Sequence, residues 1–171
     1  METWDAIRAR RNVRDFAHGT IAPRDLDRIL EAARRSPSSK NTQRWDFVAV
    51  VDPERLERLS HAWIYGDHLA RAAAAIAFVA PATDVAEQRE SNQFDMGQAV
   101  MSAMLAAADL GVGSCHSAVG DQALVRELLD LPENRECVVL ISLGYPAARP
   151  LAPVERPSRK PFDDVVHRET W

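Results

Sequence analysis

Cysteine is scarce in this 171-residue chain: Cys115 and Cys137 are the only two, and they do not form a CxxC pair. There is no disulfide framework to read, and a reducing, cytoplasmic setting is expected. Long apolar runs are missing too. The most apolar stretch, Ala72 to Ala82, is too short to span a bilayer, and the opening METWDAIRARRNVRDF has no apolar core of the signal-peptide kind, so no membrane association is expected. Positive charge is not in excess. The 21 basic and 25 acidic residues leave a net charge of -4, so bulk attraction to nucleic acid is not expected and any anion site must come from local clustering. No GxGxxG signature is present; GVG at 111–113 reads as helix termination, which argues against a Rossmann dinucleotide domain. His61 and His68 stand two helical turns apart with no carboxylate or thiolate completing a set, so no metal is expected.

The 46% of hydrophobic residues can build a substantial core, and the length suits one domain over 1–171 or one subunit of an intertwined oligomer. IAPRDLDRILEAARRS reads as an amphipathic helix with Pro23 in its first turn and Leu26, Ile29, Leu30 and Ala33 at helical spacing. WDFVAVVD (45–52) reads as a strand, PERLERLS as a short helix, and AAIAFVA (74–80) as a strand buried on both faces. Residues 85–110 form the longest helical candidate, with Phe94, Met101, Met104, Leu105 and Ala108 on one side and Gly111 at its end. VGSCHSA (112–118) is expected as a strand, Asp121 as the N-cap of QALVRELLDL, and ECVVLISLGYP (136–146) as a further strand. The order is mixed rather than strictly alternating, which argues an α+β fold. Residues 147–171 form a proline-rich arm with a short helical patch, expected to lie across a partner subunit.

Two segments concentrate polar chemistry. RARRNVR (8–14) places four arginines within seven residues; on a helix Arg10 and Arg14 would share a face, and guanidinium forks suit a phosphate dianion. A solvated basic face is the plainer reading. SPSSKNTQRW (36–45) gathers hydroxyl and amide groups that could read a flat heteroaromatic edge carrying carbonyls and an N–H, although polar loops are also common without such a role. Cys115-His116 reads as a core thiol beside an outward histidine, since adjacent strand residues point to opposite faces.

The ordered set RRNVRDF, PSSKNTQRW, FDMGQAVMSAMLAAADLGVGSC and ISLGYP resembles the nitroreductase family, through essentially the whole chain. The resemblance implies an α+β fold with a central mixed sheet flanked by helices, in an intertwined homodimer that binds FMN at the subunit interface. Its phosphate motif falls on Arg10, Arg11, Asn12 and Arg14, and Arg159 is the best match for a late basic residue joining them. Its polar loop falls on Pro37, Ser38, Ser39, Asn41, Gln43 and Trp45, implying contact with the flavin of the partner subunit. Gly113 and Ser114 lie in the segment after which the backbone runs along the flavin and can offer an N–H to N5.

Some positions depart from the family pattern. Asn12 stands where serine is usual, Arg44 replaces the proline before Trp45, and His116 sits where an aromatic is frequent. What the resemblance implies is an FMN-dependent NAD(P)H oxidoreductase in which NADH or NADPH delivers hydride to the flavin and a nitroaromatic, quinone or similar small molecule removes it in a ping-pong cycle. No side-chain nucleophile is then needed, because the cofactor carries the chemistry. The alternative is a non-catalytic flavin-binding or regulatory protein on the same fold.

Overall fold

The computed structural model describes residues 1–171. The helices are α1 (Thr3–Ala9), α2 (Pro23–Arg34), α3 (Pro53–Ser60), α4 (Ala86–Asp109) and α5 (Gln122–Leu129). The strands are β1 (Asp46–Val50), β2 (Ala74–Pro81), β3 (Gly113–Ser117) and β4 (Arg135–Gly144), in the order β1-β2-β4-β3. All three strand pairings are antiparallel, and the parallel element of the expected mixed sheet is reduced to one isolated bridge, Asn12 to Ser114. Helices on both faces complete the α+β architecture.

β2 shows why an unbroken apolar run is right for a central strand. Ala74, Ile76, Phe78 and Ala80 enter the core beneath α2 and α4, with Ile29, Ala33, Met96 and Ala103. Ala75, Ala77 and Val79 enter the opposite core beneath α3 and α5, with Leu56, Leu59, Val125 and Leu128. Side chains alternate across a strand, so one sequence has to satisfy two apolar surfaces. The expected cap at Asp121 forms, its carboxylate accepting from the Leu124 N–H at 2.9 Å, and Asp52 caps α3 in the same way by accepting from the Arg55 N–H at 2.9 Å. Gly111 adopts φ 74° just past α4, the left-handed turn that ends many helices.

Two expectations need correction. The arginine segment is helical only through Ala9, where α1 ends, and Arg10 already has extended dihedrals of -62° and 121°. The reason is tertiary, since the Val13 N–H donates to the Ser114 carbonyl at 2.9 Å and lays the segment along β3. On α4, Met104 and Ala108 are buried as expected, but Phe94 and Met101 stand outward, 72% and 44% exposed. α1 packs on α4 and likewise turns Trp4 and Ile7 outward.

Candidate functional site

β3 is an edge strand, and its free side organises the site. The N-terminal segment covers only the start of that edge. It fits because position 113 is glycine: a Cβ there would come within 2.8 Å of the Val13 Cβ and Cγ2 atoms. Gly113→Ala is therefore expected to destabilise the fold by about 1–3 kcal/mol through overpacking, seen as a lower urea midpoint. Adding Val13→Ala recovers part of that loss if the clash is the cause.

Beyond the bridge, Cys115 and Ser117 turn into the protein, while His116 points out to the α4 side. There it lines a cavity of about 670 Å³ together with Arg10, Arg11, Asn12 and Arg159 at one end. Met96, Val100, Met101 and Met104 of α4 and Val138 and Val139 of β4 make an apolar wall. The lining contains no carboxylate, and none of Arg10, Arg11, Arg14 or Arg159 forms a salt bridge. Arg10 donates to Asn12 Oδ1 at 3.3 Å and Arg11 to the Arg149 carbonyl at 2.8 Å. Burial, with Arg149 nearby, lowers the Arg11 pKa from the usual arginine value. The start of the arm runs back along the N-terminal segment, with Ala147 N–H on the Asp15 carbonyl and Val154 N–H on that of Arg8, and this brings Arg159 to the cavity.

Arg14 is absent from this lining. It is exposed, and its charge acts on the other side of β3, on Cys115 and on His68. Burial raises the thiol pKa of both cysteines, that of Cys137 to about 12, which leaves neither as a nucleophile. His68 was weighed in sequence only as a metal ligand, and its part in this corner was missed. It is buried, with Nδ1 2.7 Å from Ser142 Oγ. Burial, assisted by the charges of Arg14 and His116, pushes its pKa down to about 4, so the ring is neutral near pH 7.

The polar loop lies elsewhere on the same chain. Pro37, Ser38 and Ser39 line a second cavity with Glu87, Phe94, Asp95 and Gln98 of α4. Three non-glycine residues in the loop, Lys40, Asn41 and Gln43, have φ of 53°, 54° and 49°. Such conformations cost about 1–3 kcal/mol each and persist only when neighbours enforce them. Here the Ser38 hydroxyl accepts from the Gln43 N–H at 2.9 Å, and both oxygens of buried Asp95 lie 2.9 and 3.1 Å from the Ser39 nitrogen. The loop is thus held from inside, with Asn41 and Gln43 presented to solvent. Asp95 in FDMG carries no mark in the sequence that separates it from the other polar residues in the first half of α4; the available signal was its place one residue before the buried Met96.

Arg10, Arg11, Asn12 and Arg159 are brought together, with Gly113 and Ser114 behind them. Pro37, Ser38 and Ser39 line the second cavity on another face of α4, and Asn41 and Gln43 stand exposed in the same loop. The exposed Phe94 and Met101, seven residues apart and so on one face of the helix, form the ridge between the two.

The model of the Nitroreductase family matches residues 7–89 and 55–145 of the chain. A protein of Archaeoglobus fulgidus provisionally named NADH dehydrogenase/NAD(P)H nitroreductase is 34% identical, with 96% of each chain covered. The solved structure of an FMN-dependent nitroreductase from Clostridium difficile R20291 superimposes with a TM-score of 0.84 at 27% identity, covering 97% of this chain and 98% of that one. An NADPH:FMN oxidoreductase from Vibrio harveyi, solved in complex with NAD+, gives 0.84 at 26% identity, covering 97% and 76%. With its sequence pattern, its fold and a relative of this identity all in agreement, the chain belongs to the nitroreductase family.

Proposed function

We propose that this protein is an FMN-dependent NAD(P)H oxidoreductase that works as a homodimer. The observation that carries the reading is the cavity beside the β3 edge: three guanidinium groups with no carboxylate among them, in a chain whose net charge is negative. That donor set fits a phosphate dianion, and the apolar wall beside it fits a flat ring system. Family membership and the cofactors named for the Clostridium and Vibrio proteins support FMN as the group concerned.

In this reading Arg10 and Arg159 hold the phosphate, with Asn12 orienting Arg10 through its side-chain oxygen. Arg11, already engaged with the arm, contributes charge more than direct hydrogen bonds. Arg14 places positive charge at the other side of β3, where it favours the negatively charged reduced cofactor. The free edge of β3 after Ser114 supplies backbone N–H groups. FMN held by these residues would supply the redox chemistry, hydride transfer from NADH or NADPH to an oxidised acceptor such as a nitroaromatic or quinone in ping-pong order. Asn41 and Gln43 wall the cofactor of the partner subunit from their strained, preorganised loop. The arm from 147 to 171 packs on that partner, which accounts for Phe162, Val165 and Trp171 standing exposed in the single chain.

The first test is the visible absorption spectrum of protein purified without added cofactor, recorded before and after anaerobic NADH or NADPH. Flavin bands that bleach on adding the nicotinamide are the expected result. A protein that binds FMN without bleaching is the non-catalytic alternative, and one that refuses added FMN sinks the cofactor reading.

A further inference from the structure

Asp95 of α4 is only 7% exposed, and its carboxylate has one partner in the chain. That partner is the Ser39 N–H, with the nitrogen 3.1 Å from Oδ1 and 2.9 Å from Oδ2. A buried carboxylate is costly unless hydrogen bonds replace its hydration, and one N–H shared by both oxygens leaves it short of donors. An asparagine could take the same N–H without a charge, so the stability of the subunit alone does not account for this residue. What the charge adds is strength, since a charge-assisted bond is roughly twice as strong as a neutral one.

The loop held by that bond needs it. The Ser39 N–H is fixed to α4 and the Gln43 N–H to Ser38 Oγ at 2.9 Å, so the segment is closed at both ends. Between them Lys40 and Asn41 are left-handed, as is Gln43, and residues with a Cβ do not hold such dihedrals unaided. A second tie, Ser36 Oγ to Ser102 Oγ at 2.8 Å, joins the start of the loop to the same face of α4 two turns further on. Phe94, immediately before Asp95, stands outward in the exposed ridge. One turn of α4 thus carries ridge surface on one side and the anchor of the loop on the other.

We propose that Asp95 is a positioning residue that acts across the subunit boundary: through Ser39 it sets the loop that presents Asn41 and Gln43 to the cofactor held by the other chain. The proposal rests on the flavin and homodimer reading above. Each site then needs Asp95 from one subunit and Arg10 and Arg159 from its partner.

The test co-expresses two differently tagged chains, one with Asp95→Ala and the other with Arg10→Ala and Arg159→Ala, and titrates the purified heterodimer with FMN by flavin fluorescence. The Asp95→Ala homodimer is expected to bind FMN and riboflavin alike about tenfold more weakly, because ring contacts are lost and the phosphate contacts are not. In the heterodimer the two intact halves meet in one site and the two altered halves in the other. One site should therefore bind FMN with the unsubstituted affinity and the second about 1000-fold more weakly, the tenfold and 100-fold losses combined. If Asp95 serves only its own subunit, neither heterodimer site reaches the unsubstituted affinity, and the proposal is overturned. Asp95→Asn keeps a neutral acceptor and should fall between aspartate and alanine; a loss as large as alanine's would place the effect outside the Ser39 contact and also overturns it. Should the alanine chain fail to fold, Ser39→Pro removes the same bond from the donor side, and Ser38 already has the extended dihedrals, -139° and 156°, that suit a residue before proline. An unsubstituted protein that refuses FMN sinks the cofactor reading and this proposal with it, whereas one that binds FMN while the heterodimer shows no intact site sinks this proposal alone.

Discussion

Replacing Arg10 and Arg159 together with alanine lowers FMN affinity by about 100-fold and changes riboflavin affinity by less than about threefold, as read by quenching of flavin fluorescence. Hydrogen bonds to a charged group contribute about 1.5–3 kcal/mol each, so two at the lower end total about 3 kcal/mol, and about 1.4 kcal/mol is tenfold. Riboflavin has no phosphate and should not sense the loss. The contrast separates recognition from packing, because a cavity that simply collapsed would weaken both ligands. Arg11→Ala is expected to act more weakly than either single variant, since its guanidinium already donates to the Arg149 carbonyl. Arg14→Ala should affect both ligands alike, because its side chain stands outside the cavity lining. Unchanged FMN binding in the double variant would move the phosphate site away from this end of the cavity.

What could be read from sequence was what local chemistry determines. The strand 74–80 was legible because a run without polar interruption suits a position buried on both faces, and β2 feeds both cores. Asp121 before α5 was legible as a cap because an aspartate next to an amphipathic run has an orphan N–H within reach, and Asp52 before α3 acts by the same rule. The extended shape of Arg10–Arg14 was not legible: it depends on pairing with Ser114, about a hundred residues away, and nothing local prevents one more helical turn. The loop composition pointed to polar recognition, but the left-handed conformations of Lys40 and Gln43 are imposed by Ser38 and by Asp95 from another element. His68 was opaque for the same reason, since its burial and its contact with Ser142 of β4 are set by tertiary packing. Phe94 and Met101 looked like core because periodicity reports which residues are apolar, not whether the same chain covers them.

That uncovered ridge carries the second prediction. In the proposed homodimer the ridge faces a second copy of the chain, and the polar loop of one subunit reaches the arginine cavity of the other. Phe94→Asp combined with Met101→Asp should then turn a dimer into a monomer in analytical ultracentrifugation. Burying an apolar side chain of this size contributes about 1.5–3 kcal/mol, and two-fold symmetry counts each substitution twice. The dimer dissociation constant should therefore rise by more than about 1000-fold. Both side chains are largely exposed in the single chain, 72% and 44%, so the isolated subunit has little packing to lose and its secondary structure should survive. Flavin retention should fall with dimerisation, because the loop that carries Asn41 and Gln43 contributes no residue to the cavity lined by Arg10 and Arg159 of its own chain. A monomer that still holds FMN as tightly would mean that one subunit suffices, and the strained loop would then need another role. A dimer that survives both aspartates would place the interface elsewhere, with the exposed Trp4 and Ile7 of α1 as the next surface to test.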